Sequence, residues 1–313
     1  MKRITAGMLA AFLLLTLTGC VGSHTIEKEE GPYPVAIGNV TVQGRPERVA
    51  TLSAQLTNIL EDLGYGDRLV AVAADEITEE DTGRRGIGTA MAPDLEAIKE
   101  AAPDLLFTGM PMAKSQLDEL SEAGIQVAVL PAIDSLDALY QRYYDVIAAM
   151  EGKAEADTVG TARIDAMKAD VEQITGKIPQ EKKSFLFVCT IDPHIATPDT
   201  FEAALLSLIG TNMAEGEGYT VPNEALLAAQ PDVLLYAAPL QAENIRQSAD
   251  FAGKNAVMED ALYEVDRDAL NSGTEAVLDQ LRKVAGLMYP EIDFSDTESL
   301  PSDPSSELSE AAP

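Results

Sequence analysis

Tryptophan is absent from the 313 residues, and cysteine and histidine occur only twice each. Two cysteines cannot build a disulfide framework, and two histidines cannot build a histidine-rich metal cage. Bases are also scarce. The chain has 22 Lys+Arg against 52 Asp+Glu, a formal net charge of −30. That excludes nucleic acid as a partner, because its phosphates need basic side chains to displace counterions. Aromatic residues make up 5%, yet apolar residues reach 46%, enough to bury a core. Disorder throughout is therefore excluded, and the length suits about two domains. There is no G-x-S-x-G elbow, no H-E-x-x-H helix and no P-loop. The glycine-rich Gly83 to Gly88 does not have phosphate-loop spacing.

The amino-terminal segment sets the compartment. Lys2 and Arg3 precede an almost continuously apolar run from Ile4 to Leu17. That run is shorter than the roughly 20 residues needed to span a membrane, and it suits a signal-peptide core. No other stretch is long and apolar enough to cross as a helix. Leu17-Thr18-Gly19-Cys20 resembles the lipobox of bacterial lipoproteins. The resemblance implies cleavage before Cys20 and lipidation of its thiol. Removing Lys2 and Arg3 takes the formal charge from −30 to −32. Residues 1–19 then form the signal peptide, and residues 20–39, polar with Gly and Pro, read as a tether. His24 lies there with no role. Cys189 follows the apolar run Phe185 to Val188 and reads as a small buried hydrophobe.

One segment is written twice. Glu96-Ala97-Ile98, four residues, then Pro103-Asp104-Leu105-Leu106 recurs as Glu224-Ala225-Leu226, four residues, then Pro231-Asp232-Val233-Leu234. Each copy follows a proline and a capping residue, Asp94 or Asn223, which predicts a helix start. Pro-Asp ends the helix, and the apolar run is a buried strand. Leu56 to Gly64 and Phe201 to Gly210 form a second pair of short amphipathic helices closed by glycine. The alternation predicts an α/β fold in which two lobes each carry a mainly parallel sheet flanked by helices.

Between the copies the pattern is wholly helical. Apolar residues recur three and four apart from Leu136 to Met150, and Gly152 interrupts them. Lys153 to Thr175 continues as a long helix of about 34 Å, able to join two lobes as a stiff strut. Residues 291–313 carry seven acids, three prolines and no base, and read as a disordered tail.

With these motifs in order, the chain resembles the solute-binding proteins of ABC importers, in the class whose lobes are joined by one long helix. The resemblance runs from Val40 to Pro290. It rests on Pro46 to Ser53, Leu63 to Val70, Asp94 to Ile98 with Pro103 to Leu106, and the closing Ala256 to Glu291. It implies an amino-terminal lobe at 40–152, a linker helix at 153–176 and a carboxyl-terminal lobe at 177–290. It also implies a monomer anchored by lipid to the outer face of the cytoplasmic membrane. Its partners would be permease subunits, with their cytoplasmic ATPase, and a small chelate ligand. Glu96 and Glu224 match the family's docking glutamates, which pair with arginines on the permease. Alone, either would merely complement its helix dipole.

The ligand is expected between the lobes, at the carboxyl ends of the strands. The candidate residues there are Ser53, Gln55, Asp75, Thr89, Met91 and Met110 in the first lobe. In the second they are Asp192, His194, Tyr236 and Tyr263. The class takes up corrinoids, iron-siderophores and haem. Few arginines lie near these loops, Arg84 and Arg85 being the nearest, and tryptophan is missing, so a neutral or weakly charged chelate is expected. A bare-metal site is not, since His194, Asp192 and Asp199 are too few and irregularly spaced. No cofactor and no catalytic residue is expected. The competing readings are a secreted lipoprotein enzyme, or an adhesin or sensor on the same fold.

Overall fold

The computed structural model describes residues 31–77, 83–192 and 194–295. Cys20, His24 and the segment 296–313 lie outside the described residues, so the lipobox and most of the expected tail are not described.

The first sheet has five parallel strands in the order β5-β4-β3-β6-β7. They are β3 (Val49–Leu52), β4 (Leu69–Val72), β5 (Arg85–Gly86), β6 (Leu105–Thr108) and β7 (Gln126–Val129). Helices α1 (Ala54–Asp62), α2 (Leu95–Ala101) and α3 (Lys114–Glu122) connect them. A hairpin of β1 (Val35–Ile37) and β2 (Val40–Val42) precedes the sheet. Asn39 ties the hairpin to the edge strand: its side chain accepts from Val129 N at 2.6 Å and donates to Val127 O at 3.3 Å.

The second sheet runs β10-β8-β11-β12, also parallel. Its strands are β8 (Ser184–Thr190), β10 (Thr211–Asn212), β11 (Val233–Ala237) and β12 (Leu262–Val265). A short β9 (His194–Ile195) folds back antiparallel on β8. The helices here are α7 (Phe201–Leu206), α8 (Asn223–Ala228), α9 (Ala242–Gln247), α10 (Asn255–Met258), α11 (Arg267–Leu270) and α12 (Ala276–Met288).

Between the sheets run α4 (Leu136–Glu151), α5 (Lys153–Glu155), a π turn (Ala156–Gly160) and α6 (Thr161–Gly176). The expected strut is present, with a π turn near its start. Gly160 packs there against Ile147, where an added Cβ would sit 3.5 Å from Ile147 Cδ1. Gly152 separates α4 from the strut at φ +96°, and a Cβ there would meet Pro32 at 2.6 Å.

Strand alternation sorts the core into three clusters. One face of each sheet, through Leu105 and Phe107 or Phe185 and Phe187, joins α4, α6 and α12 in a single cluster spanning both lobes. The opposite faces carry separate clusters, through Leu106 in the first lobe and Leu186 and Val188 in the second.

Two expected boundaries shift. The tether gives way to folded chain before residue 40: Val35 and Ile37 are buried, and Tyr33 Oη donates to Ala149 O at 3.0 Å. At the other end the fold continues past 290, because Phe294 is buried and Ile292 packs on the central cluster. In both places one or two apolar side chains outweigh polar, Pro-rich surroundings.

Candidate functional site

In each sheet the strand order reverses beside the first strand of that lobe. The reversal falls between β3 and β6 in one sheet and between β8 and β11 in the other. Ligands of open α/β sheets bind outside the strands' carboxyl ends at such points. Ser53 and Gly109 stand at the first reversal, and a Cβ on Gly109 would lie 3.7 Å from Ser53 Oγ. The carboxyl ends of the two sheets meet through their loops. Gln55 Nε2 donates to Asn271 O at 3.3 Å, and Asn58 Nδ2 donates to Ser272 O at 3.0 Å. Gly273, at φ +74°, lets the chain pass so close that a Cβ would meet Gln55 Cβ at 2.8 Å. These contacts form the floor of a crevice between the lobes.

The sequence candidates divide into three groups. Ser53, Asp75, Thr89, Met91, Met110 and Asp192 follow strand ends and His194 opens the short β9, and all seven are exposed or half-buried. The His194 ring is held by Nδ1, 2.9 Å from both Thr190 Oγ1 and Asp192 O. Gln55 is instead committed to the floor, since its Oε1 also accepts from Ile133 N at 3.1 Å. Tyr236 and Tyr263 are strand residues rather than loop residues. Tyr236 is buried in the outer cluster of the second lobe, and Tyr263 packs against the central one. Tyrosine suits a half-buried pleat, so β11 and β12 run further than the apolar residues alone suggest.

Neither Arg84 nor Arg85 faces the crevice as a free cation. Arg84 pairs with Glu61 and Arg85 with Glu100. The arginine that sequence reading missed is Arg267, in the first turn after β12. Its Nε donates to Glu202 at 2.9 Å, and its guanidinium lies 5.1 Å from the centre of the Tyr219 ring. Glu202 is fully buried and also accepts from Tyr219 Oη, 3.0 Å from each carboxylate oxygen. Burial raises the proton affinity of Glu202, but hydrogen bonds from its own backbone N–H, Arg267, Asn271 and Tyr219 outweigh it. The carboxyl is held below its ordinary pKa. Arg267 also lines a cavity of about 350 Å³ with Ala238, Glu264, Asp266, Asp268 and Lys283, at the carboxyl ends of β11 and β12. Behind this group, burial pushes the Cys189 thiol up to about 11, which suits an inert thiol.

On the outer surface the sequence repeat becomes a structural one. Glu96 and Glu224 are each the second residue of their helix, α2 and α8, and both are exposed. Each helix leads into the strand across the reversal point, β6 or β11. Glu96 makes a surface ion pair with Lys99 at 2.5 Å. The carbonyl end of α8 is held by buried Lys254, whose Nζ donates to Leu226 O at 2.5 Å and Ala229 O at 2.9 Å. Leu227 of α8 and Met258 of α10 are both largely exposed.

Residues 49–269 match the family described as periplasmic binding protein. The chain belongs to that family. The match starts at the first residue of β3 and ends within α11, so it takes in both sheets, the strut and Arg267. A member of this family is a binding protein for transport, not an enzyme. An uncharacterized ABC transporter substrate-binding lipoprotein, YvrC of Bacillus subtilis, is 24% identical over 91% of this chain and 98% of its own length. A cobalamin-binding protein of Halobacterium salinarum is 22% identical over 80% of this chain and 71% of its own. Among solved structures, the periplasmic heme-binding protein HutB of Vibrio cholerae superposes with a TM-score of 0.66 at 21% identity, covering 78% of this chain and 99% of that one. The two-lobed family fold agrees with the expectation from the repeat.

Proposed function

We propose that the protein is the extracytoplasmic substrate-binding component of an ABC importer, held at the membrane by lipid on Cys20. It captures a corrinoid, an iron-siderophore or haem in the crevice and carries it, as a monomer, to the permease. The family match and the likeness to an ABC transporter lipoprotein support transport. The cobalamin- and haem-binding relatives support the chelate class. The observation that carries the delivery step is the twin placement of Glu96 and Glu224, one exposed carboxylate at the same helical position in each lobe. A carboxylate so placed is oriented for charge-assisted pairing with arginine on a partner.

Charge reversal tests this. Glu96→Lys with Glu224→Lys should cut uptake of the ligand by cells at least tenfold while leaving the affinity of the purified protein unchanged. Uptake equal to wild type would reject docking through this pair, and uptake that persists when the whole protein is deleted would favour an adhesin or sensor over an importer.

A further inference from the structure

We propose that Arg267 is an anion anchor in the second-lobe wall of the crevice, and that the ligand is an apolar chelate bearing a carboxylate. The assignment rests on the importer reading above and narrows its ligand class. It also departs from the expectation of a neutral or weakly charged ligand, which came from the few arginines in the loops legible from sequence and the absence of tryptophan.

The geometry is that of a built site. Arg267 is held on two sides, by the buried carboxylate of Glu202 at Nε and by the face of Tyr219. Glu202 and Tyr219 are positioning residues: they fix the plane of the guanidinium before any ligand arrives. The Arg267 side chain remains 36% exposed. Among the described residues its two Nη groups have no carboxylate partner. Arg267 lines the cavity at the carboxyl ends of β11 and β12, and a guanidinium offers a planar pair of N–H donors that matches a carboxylate in bidentate fashion better than lysine does.

Position relative to the crevice supports the same conclusion. Arg267 O accepts from Asn271 Nδ2 at 3.1 Å, and Asn271 O accepts from Gln55 of the first lobe. The anchor therefore stands one helical turn from the crevice floor. Lys283 adds a second cation to the cavity beside it. Of the acids lining that cavity, Asp266 is occupied as the cap of α11, accepting from Ala269 N at 2.9 Å. Glu264, Asp268 and Lys283 are all exposed, so water weakens the two acids and the second cation alike, and half-buried Arg267 is the cation held in place.

The apolar part of the ligand follows from a separate observation. Ile77, Met91, Met110 and Ile191 are large hydrophobic side chains left exposed at strand carboxyl ends, three on the first lobe and one on the second. Methionine adapts its shape to an irregular apolar surface. Exposed apolar side chains at the strand ends of both lobes, together with one oriented cation on the second, fit a bulky apolar body carrying an anionic edge.

The test uses three probes with the mature protein: haem, haem dimethyl ester and cyanocobalamin. Haem has the apolar body and the carboxylates, the ester has the body without the charge, and cyanocobalamin has no free carboxylate. Haem should bind at least tenfold more tightly than its ester. Arg267→Gln alone would strand the buried Glu202 charge, so the decisive variant is Glu202→Gln with Arg267→Gln, its folding checked by thermal melt. It should bind haem and ester equally, and Arg267→Lys should fall between. Equal binding of haem and ester by the wild type would overturn the anchor, as would discrimination that survives in the double variant. Cyanocobalamin binding without haem binding would overturn the carboxylate while leaving the importer reading intact. Binding of none of the three would reject the chelate class and the anchor with it.

Discussion

Glu202 and Glu275 show how one residue type acquires opposite behaviour from its surroundings. Glu202 is buried and Glu275 half-buried, and each faces an arginine. Burial raises Glu275 and its pairing with Arg163 only partly compensates, so the group stays above its ordinary pKa. Burial also raises Glu202, but four sets of hydrogen bonds more than compensate, so it lies below. A carboxyl whose folded pKa is lowered contributes stability that is complete above the unfolded value, about 4.3, and is lost as pH falls through the folded value. Glu202 therefore contributes to acid unfolding, and Glu275 works in the opposite sense. Melting temperature measured from pH 6 downward should fall less steeply below about pH 4.3 in Glu202→Gln than in the wild type. Parallel curves would show that the Glu202 cluster does not hold its charge in the folded state.

At the scale of the element, the repeated Pro-Asp step does more than end a helix. Asp104 Oδ2 accepts from Glu47 N at 2.8 Å and Arg48 N at 2.9 Å, just ahead of β3. Asp232 Oδ2 accepts from Ser184 N and Ser184 Oγ, both at 2.7 Å, at the start of β8. Each aspartate thus fastens the amino end of the strand that its own strand will pair with. Asp104→Ala and Asp232→Ala should each destabilise by about 1–2 kcal/mol, from two hydrogen bonds lost at a partly solvated position. Asn at either site should cost less, because one acceptor oxygen remains. Urea midpoints unchanged in both alanine variants would remove this role. The repeat was legible because helix, Pro-Asp and strand are contiguous in the chain. Arg267 was not, because its partners Glu202 and Tyr219 are distant in sequence and meet only when β8 and β12 flank β11. Tyr236 was misplaced for a related reason: periodicity marks a strand's apolar middle but not its end. Asp75, Met91 and Met110 do lie in loops, because a strand's end also marks where the next loop opens.

For the whole molecule, the acidic surface and the seam between the lobes act against each other. Residues 40–290 carry a formal net charge of −23 divided over two lobes, which repel one another across any opening. The seam that resists this is built on Arg163 of the strut, whose side chain is only 9% exposed. Arg163 donates to Asp62 of α1 at 2.7 Å and pairs with Glu275, which precedes α12, so one guanidinium holds both lobes to the strut. Tyr143 Oη closes the circuit, donating to Asp62 at 2.7 Å and accepting from Glu275 N at 3.1 Å. With Gln55 and Asn58 spanning the floor, the lobes are fastened along a line beside the crevice, so closure on a ligand should be small. Removing Arg163 alone would leave two acids facing one another, a change that costs about 3–5 kcal/mol at buried sites. Arg163→Met with Glu275→Gln avoids part of that cost and still opens the circuit. Spin labels at the exposed positions Lys114 and Glu243, one per lobe, should give a single narrow distance distribution in the wild type. In the double variant the distribution should broaden and shift outward, more so at low salt, where the repulsion reaches beyond the roughly 8 Å of physiological screening. A distribution unchanged at every salt concentration would mean that the apolar cluster shared by α4, α6 and α12 fixes the lobes without help from the polar seam.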